Sequence, residues 1–134
     1  VIVSGQHDHP LSRLMKGNCG TVFVGDGTAR AKKAWLAGRL TIKGQILVDA
    51  GAAKALGGGA SLLPAGARSV VGHFRRGDVV DITGPDGGVI ARGMVEYDAA
   101  EAAAICGKRS DDLEGVLGYA PRTAMVHRDH MVLL

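Results

Sequence analysis

The chain has 134 residues, of which 46% are hydrophobic and 22% charged, and this suffices for one globular domain with its own core. The net charge of +3 permits a polyanionic partner without requiring one, and no apolar run approaches the roughly 20 residues of a membrane span, so we expect no membrane partner. Glycine is frequent, at 21 residues, and aromatic residues make up only 4%, which favours short strands and tight turns over long helices.

The first 24 residues have the pattern of a β-α-β unit. Residues 1–3, Val-Ile-Val, indicate a buried parallel strand. A helix can begin at Pro10 and end at Gly17, and residues 20–24 indicate a second strand. Because a parallel sheet needs further strands and helices on both faces, we interpret this segment as the remnant of a larger α/β domain. Its unpartnered strands would be prone to pair with other chains.

Residues 25–38 have the composition of a linker that contains a helix. Thr28 can cap a helix over residues 29–37, and Gly38 can end it. We therefore expect a separate, β-rich domain over residues 39–134.

This β-rich domain begins with a strand, a short helix and a turn. Residues 44–48 indicate the strand, and Asp49 can cap a helix over residues 50–56. Gly57 can end that helix, because glycine tolerates the backbone geometry found after a helix. Residues 63–66, Leu-Pro-Ala-Gly, place proline and glycine where a type I turn prefers them.

A hairpin and a capped helix follow. Residues 79–83 and 89–95 indicate the two strands of the hairpin, with Asp-Gly in the connection. Asp98 and Glu101 form the pattern of a capping box for a helix over residues 99–106.

The last elements complete a mainly β domain with short helices, an α+β fold. Ser110 can cap one more helix, which Gly118 can end, and residues 125–134 indicate a closing strand. The expected core consists of apolar residues on these elements: Leu47, Val48, Leu56, Leu62, Leu63, Val71, Val80, Ile82, Ile90, Val95, Ile105, Leu113, Leu117, Val132 and Leu133.

No motif for nucleotide or metal chemistry is found. Residues 57–59, Gly-Gly-Gly, follow a helix, whereas phosphate-binding loops precede one, so a helix end and turn explain them better. His7-x-His9 and His127-x-x-His130 lack the partners of a zinc site, and residues three apart on a strand point to opposite faces. We therefore assign no catalytic, cofactor-binding or metal-ligating residue.

The two cysteines lie far apart in the sequence. Cys19 and Cys106 belong to no CxxC motif, so they do not indicate a redox or zinc pair. Reduced, buried thiols are the simplest interpretation, and they predict a cytoplasmic location.

Arg75 and Arg76 are the best candidates for contact with phosphate. Guanidinium groups match phosphate oxygens, and the neighbouring Phe74 could stack on a base. Lys54 and the N–H groups of residues 57–61 could add further contacts. A solvated basic turn is the alternative explanation for so short a run.

Three segments resemble a PUA domain, the small module named for pseudouridine synthases and archaeosine transglycosylase. They are residues 48–52, 61–66 and 74–80. The resemblance implies that residues 39–134 form a compact pseudo-barrel of short mixed strands with two or three small helices.

Further segments are similar to the C-terminal part of the bacterial glutamate 5-kinase family: residues 32–38, 93–97, 117–119 and 126–131. Residues 20–23 resemble the last strand of that family's amino-acid-kinase domain. This resemblance covers essentially the whole chain. It implies that residues 1–24 are the end of the kinase domain.

The resemblance implies a parent enzyme that uses ATP and magnesium to phosphorylate the side-chain carboxylate of glutamate, the first step of proline biosynthesis. No residue of this chain matches the substrate or nucleotide loops of that family, so we expect the chain alone to lack kinase activity. An accessory role is then expected, with the chain's own kinase domain and further copies of the protein as partners.

The alternative implied by the resemblance is an RNA-binding module. PUA domains of RNA-modifying enzymes bind structured RNA in the groove beside the short helix and its following loop. Here that groove would comprise Gly51, Lys54, Ser61, Leu62, Leu63, Arg75 and Arg76. Asp78 and Asp81, close to the arginines, weigh against it. A free-standing accessory protein of RNA modification is a third, weaker hypothesis.

Overall fold

The computed structural model describes residues 2–17, 20–23 and 41–134. The expected linker helix within residues 25–38 lies outside these ranges. Contacts divide the chain into two compact units, Val1–Ala31 and Lys32–Leu134.

The first unit contains one short helix and one strand contact among its described residues. Helix α1 spans Pro10–Met15 and carries proline in its first turn, as predicted. Ile2 and Thr21 form an isolated antiparallel bridge, with N···O distances of 2.9 and 2.8 Å. The prediction of a buried parallel strand is therefore wrong: Ile2 is 65% exposed. A parallel pair needs cover on both faces, which these short segments do not supply.

The second unit is built on a five-stranded sheet in its described part. The strands are β1 (Gly44–Val48), β2 (Ala67–Gly72), β3 (Val79–Thr83), β4 (Val89–Val95) and β5 (Val126–Leu133). Their spatial order is β2-β1-β3-β4-β5. The pair β1–β3 is parallel, and the other neighbouring pairs are antiparallel. The predicted hairpin is confirmed as β3 and β4, and the mainly β fold with short helices is confirmed with it.

Strand β2 was not predicted. It lies at an edge of the sheet, where it pairs with β1. An edge strand has one sheet neighbour and can carry exposed charge, so its apolar pattern is weak. Arg68 and Ser69 are both exposed, which breaks the run that would have indicated a strand.

Short helices connect the strands. They are α2 (Ala50–Gly57), α3 (Ala99–Ile105), α4 (Leu113–Leu117) and two 3₁₀ turns, Pro64–Gly66 and Ser110–Asp112. Within the described residues, no helix has both the length and the apolar character needed to span a membrane.

Side-chain caps confirm two of the predicted helix N-termini, and the third prediction is wrong. An Asp49 side-chain oxygen accepts from the N–H of Ala52 at 2.8 Å. Asp98 and Glu101 form the predicted capping box, with N···O distances of 2.9 and 3.2 Å. The predicted cap at Ser110 is wrong, because this residue begins a 3₁₀ turn and the residue before helix α4 is Asp112.

The core lies between the sheet and the short helices, and β3 is buried along its whole length. Three predicted core residues are instead exposed: Leu63, Val71 and Leu133, at 42%, 63% and 47%. Val71 and Leu133 lie on the edge strands β2 and β5, where one face is open to solvent. Several large buried side chains were not predicted: Ile46, Phe74, Val79, Tyr97, Met125, Val126 and Met131.

Candidate functional site

A groove of about 330 Å³ lies between helix α2 and the segment that follows it, residues 60–66. We call it the α2 groove. Its lining is mostly apolar and includes Ala52, Ala55, Leu56, Ala60, Leu62 and Leu63. Asp49 and Ser61 supply polar atoms at its margins. Such a groove suits an apolar or planar partner better than an isolated anion.

A close backbone approach at Gly66 fixes one end of the α2 groove. The N–H of Asp49 donates to the carbonyl of Gly66 at 3.0 Å. A Cβ placed on Gly66 would lie 2.5 Å from the Cβ of Ala52, so only glycine lets the segment approach the helix this closely. Asp49 therefore serves both as the cap of α2 and as the anchor of the returning chain.

The other end of the groove is attached to β5. The N–H of Leu62 donates to the carbonyl of Val126 at 2.9 Å, and the N–H of Met125 donates to the carbonyl of Leu62 at 2.8 Å. The N–H of Arg128 also donates to Oγ of Ser61 at 3.0 Å. Residues far apart in sequence thus meet at the groove.

The structure brings four of the predicted groove residues together. Gly51, Ser61, Leu62 and Leu63 all line the α2 groove. Leu62 is only 1% exposed, so its side chain belongs to the core, whereas Leu63 is 42% exposed and can contact a partner. Lys54 lies exposed on α2 but does not line the groove.

The predicted arginines lie elsewhere. Arg75 lines a separate cleft of about 470 Å³, and its backbone N–H donates to Oδ2 of Asp78 at 2.8 Å. Arg76 pairs with Glu96 at 3.6 Å. Strand β2 begins directly after Gly66 and carries the chain about 20 Å along the sheet before these residues, which explains the separation.

The expected stacking role of Phe74 is also wrong. This side chain is 4% exposed and packs in the core. Its carbonyl accepts from the N–H of Ala99 at the start of α3. A ring held in this way cannot offer a face to a base.

Sequence reasoning missed two arginines beside the α2 groove. Arg68 pairs with Asp49 at 3.1 Å, and Arg128 reaches Ser61 through its backbone. Their side chains are 61% and 66% exposed. Neither was detectable from spacing, because each is placed by strand pairing with a distant segment.

A second polar cluster surrounds Glu96, which follows β4. Its carboxylate is 15% exposed and contacts Arg76 at 3.6 Å, Arg122 at 3.1 Å and His130 at 3.6 Å. The neighbouring Tyr97 donates its hydroxyl to the carbonyl of Arg122. Burial, the largest cause, raises the pKa of Tyr97 above its ordinary value.

The prediction that His127 and His130 point apart is wrong. Their ring centroids are 6.0 Å apart in an edge-to-face arrangement. The register explains this: Gly93 pairs with Met131 but Val95 pairs with Val126, so β5 bulges between these pairs. A bulge interrupts the alternation of a regular strand.

No group of three or more histidine, cysteine, aspartate or glutamate side chains is arranged for a metal ion in residues 2–17, 20–23 and 41–134. Cys106 is half-buried, and burial raises the pKa of its thiol. Cys19, the other predicted buried thiol, lies outside the described residues.

Comparison with known proteins confirms the predicted resemblance. Residues 44–117 match the family described as PUA domain. The chain is 59% identical over 133 residues to the glutamate 5-kinase of Sphingopyxis alaskensis and 50% identical over 133 residues to that of Zymomonas mobilis. These matches cover 99% of the chain but 35% and 34% of those relatives. The chain therefore spans about a third of the length of the curated relatives it matches.

Solved PUA-domain structures are also similar. A PUA domain from Aeropyrum pernix K1, in a tartrate complex, matches with a TM-score of 0.48 and 35% identity over 66% of this chain and 42% of that one. A conserved PUA domain protein from Thermoplasma acidophilum matches with a TM-score of 0.45 and 29% identity, over 60% of this chain and 52% of that one.

Proposed function

Because the chain belongs to the PUA domain family over residues 44–117, we propose that it is the C-terminal, accessory segment of a glutamate 5-kinase. The single observation that carries this proposal is the 59% identity over 99% of the chain to a relative of that name, of which it covers 35%. The proposed parent transfers the γ-phosphoryl group of ATP to the side-chain carboxylate of glutamate, with magnesium, in the first step of proline biosynthesis, in the cytoplasm.

The proposal assigns the chemistry to the remainder of the parent. Phosphoryl transfer requires cationic groups and metal ions that clamp the phosphates in line with the acceptor. Five described arginines of this chain instead pair with carboxylates of the chain itself, as Arg92 does with Asp81 and Arg68 with Asp49. The segment then acts through contacts, with its own kinase domain and with further copies of the parent as partners.

The α2 groove supports an accessory role. Its exposed apolar residue, Leu63, and its small alanine side chains offer a surface that another protein segment can cover. Contacts of this kind transmit changes in domain position or assembly without supplying a reacting group. Oligomerisation, feedback by proline and the conformation of the kinase domain are the properties we expect this segment to change.

The test measures glutamate-dependent ATP turnover in three proteins: the protein encoded by the full reading frame, the same protein lacking residues 41–134, and the 134-residue chain alone. We expect turnover by the full protein and none above background by the chain alone. The truncated protein should retain the chemistry but change its oligomeric state or its response to proline. Turnover by the isolated chain, or none by the full protein, would overturn the proposal.

RNA binding is a second candidate function, and the basic residues around the α2 groove favour it. Lys54, Arg68 and Arg128 are exposed and lie on the elements that form the groove or contact its margins. An apolar floor with cations at its rim can hold a base while the cations hold phosphates. This set replaces Arg75 and Arg76, which line no part of the groove.

A salt series separates the two functions. If RNA occupies the α2 groove, affinity for a structured RNA should fall steeply with salt, and Arg128→Ala should weaken binding. The control, Arg109→Ala, removes an exposed arginine that lines none of the described clefts. Equal losses in both variants would indicate only nonspecific attraction, and the absence of binding at low salt would exclude RNA as a partner.

A further inference from the structure

We propose that the cleft beside Glu96 is a binding site for a phosphate group, distinct from the α2 groove. The cleft has a volume of about 490 Å³. We call it the Glu96 cleft, and its polar lining residues are Glu96, Arg122, Thr123, His127 and His130. None of these residues is used by the proposed accessory role or by the RNA-binding candidate.

The charges around the cleft leave an excess of one positive charge. Three guanidinium groups, those of Arg76, Arg122 and Arg128, meet two carboxylates, those of Glu96 and Asp129. The Glu96 carboxylate is 15% exposed, whereas the Arg76 and Arg122 guanidinium groups that it contacts are 59% and 56% exposed. Glu96 is thus sheltered while its two arginine partners face solvent, and the exposed Asp129 has Arg128 beside it, an arrangement that can attract an anion.

His127 adds a hydrogen-bond donor. Its Nδ1 accepts from the backbone N–H of Asp129 at 3.3 Å. A neutral imidazole whose Nδ1 accepts must carry its proton on Nε2, which is then a donor. The protonated ring would instead pair through Nδ1 with the Asp129 carboxylate, 3.5 Å away, and would still present N–H at Nε2.

The bulge of β5 brings the side chains of His127 and His130 together. Because β5 departs from regular pairing between Val126 and Met131, the rings of His127 and His130 lie 6.0 Å apart. A regular strand would have placed them on opposite faces. Bulges commonly redirect side chains in this way next to binding sites.

A phosphate group is the ligand class that fits these donors. Arg122 offers a planar fork of N–H groups, Thr123 a hydroxyl and His127 a ring N–H, so the donors belong to three separate side chains. A tetrahedral phosphate presents oxygens in several directions, and such charge-assisted hydrogen bonds are short and strong. Glu96 then holds Arg122 in place, 3.1 Å from its NH1.

The test titrates inorganic phosphate into the 134-residue chain and follows backbone amide shifts, with sodium chloride adjusted to keep ionic strength constant. We expect saturable shifts at Thr123 and His127. Arg122→Ala should weaken binding by about tenfold, since a hydrogen bond to a charged group is worth about 1.5 kcal/mol or more. Arg109→Ala removes the same charge outside the cleft and should leave the affinity unchanged.

A second variant guards against a folding defect. Arg122→Gln keeps two of the three methylene groups, and the backbone carbonyl of residue 122 that accepts from Tyr97 is retained in both variants. If both variants melt like the wild type and both lose phosphate affinity, the site is established. Absence of saturable shifts, or an equal loss in Arg109→Ala, would overturn it.

Two sources of the phosphate group are distinguished by competition. A short RNA that displaces inorganic phosphate, and does so less well with Arg122→Ala, would identify a polynucleotide backbone as the source. A phosphomonoester that displaces it where RNA does not would identify a small phosphorylated molecule. Either result supports the site. If chloride alone displaced phosphate, the shifts would reflect nonspecific attraction to the positive charge, and the proposal would be contradicted.

Discussion

Nε of Arg92 lies 2.7 Å from Oδ1 of Asp81, and the two residues face each other in the register of β3 and β4. Their side chains are 18% and 13% exposed, so this ion pair is largely buried. Removing the Asp81 carboxylate takes away a charge-assisted hydrogen bond that is largely shielded from water. The pair also fixes which residues of the two strands stand opposite each other.

Asp81→Ala is accordingly expected to lower the free energy of unfolding by about 1.5–3 kcal/mol, because it removes a largely buried hydrogen bond between charged groups. Urea denaturation followed by circular dichroism gives the measurement. Asp86→Ala, at an exposed turn, is the matched control and should cost much less. Similar losses at both positions would contradict a special role for the buried pair.

Gly66→Ala should destabilise the fold by about 1–3 kcal/mol, because its new Cβ would lie 2.5 Å from the Cβ of Ala52. Gly115→Ala is the control: it lies in α4 with no heavy atom within 4 Å, and it should stabilise the chain by about 0.5–1 kcal/mol. Thermal melts of both variants compare them. A neutral Gly66→Ala would show that the two segments can move apart.

Tyr97→Phe should cost about 1 kcal/mol near neutral pH, since it removes the hydrogen bond to the Arg122 carbonyl. Burial raises the pKa of Tyr97, so the fold favours its neutral form. The corresponding stability is present below pH ~10, the ordinary tyrosine value, and is lost as pH rises through the raised pKa. Denaturation at several alkaline pH values should therefore show a shallower decline for Tyr97→Phe than for wild type.

Cys106 should react slowly with iodoacetamide near pH 8 in the folded chain, because burial raises the pKa of its thiol and lowers the thiolate fraction. A Cys19→Ser background isolates this reaction. Adding denaturant should restore the rate of an ordinary cysteine, and mass spectrometry measures both rates. Equal rates with and without denaturant would show that burial does not protect this thiol.

Local signals made much of the fold predictable from the sequence. Asp49 and Asp98 each cap a helix by accepting a hydrogen bond from a residue three positions later, so the sequence pattern alone predicts the cap. The hairpin of β3 and β4 was likewise predictable, since its strands are adjacent in the chain and are joined by a turn rich in glycine.

The site was harder to predict because distant segments form it. Four of the candidate residues, Gly51 and residues 61–63, lie within α2 or shortly after it, so short sequence distances bring them to one groove, and their contact with a ligand stays a prediction. Arg75 lines a different cleft because strand β2 carries the chain away from the groove, and Arg128 was missed because only strand pairing brings it to Ser61. The spacing of residues in the sequence predicts neither the position of Arg75 relative to the groove nor that of Arg128.

Strand β3 has a consequence for how the domain assembles and opens. It is buried throughout and pairs with β4, which follows after one turn, and with β1, whose Gln45 stands opposite Asp81. Closing the short turn between β3 and β4 costs less chain entropy than closing the long connection to β1. We therefore expect folding to begin at the β3–β4 hairpin. The amides of β3 should then exchange with solvent only through global unfolding, whereas those of the edge strand β2 exchange through local opening.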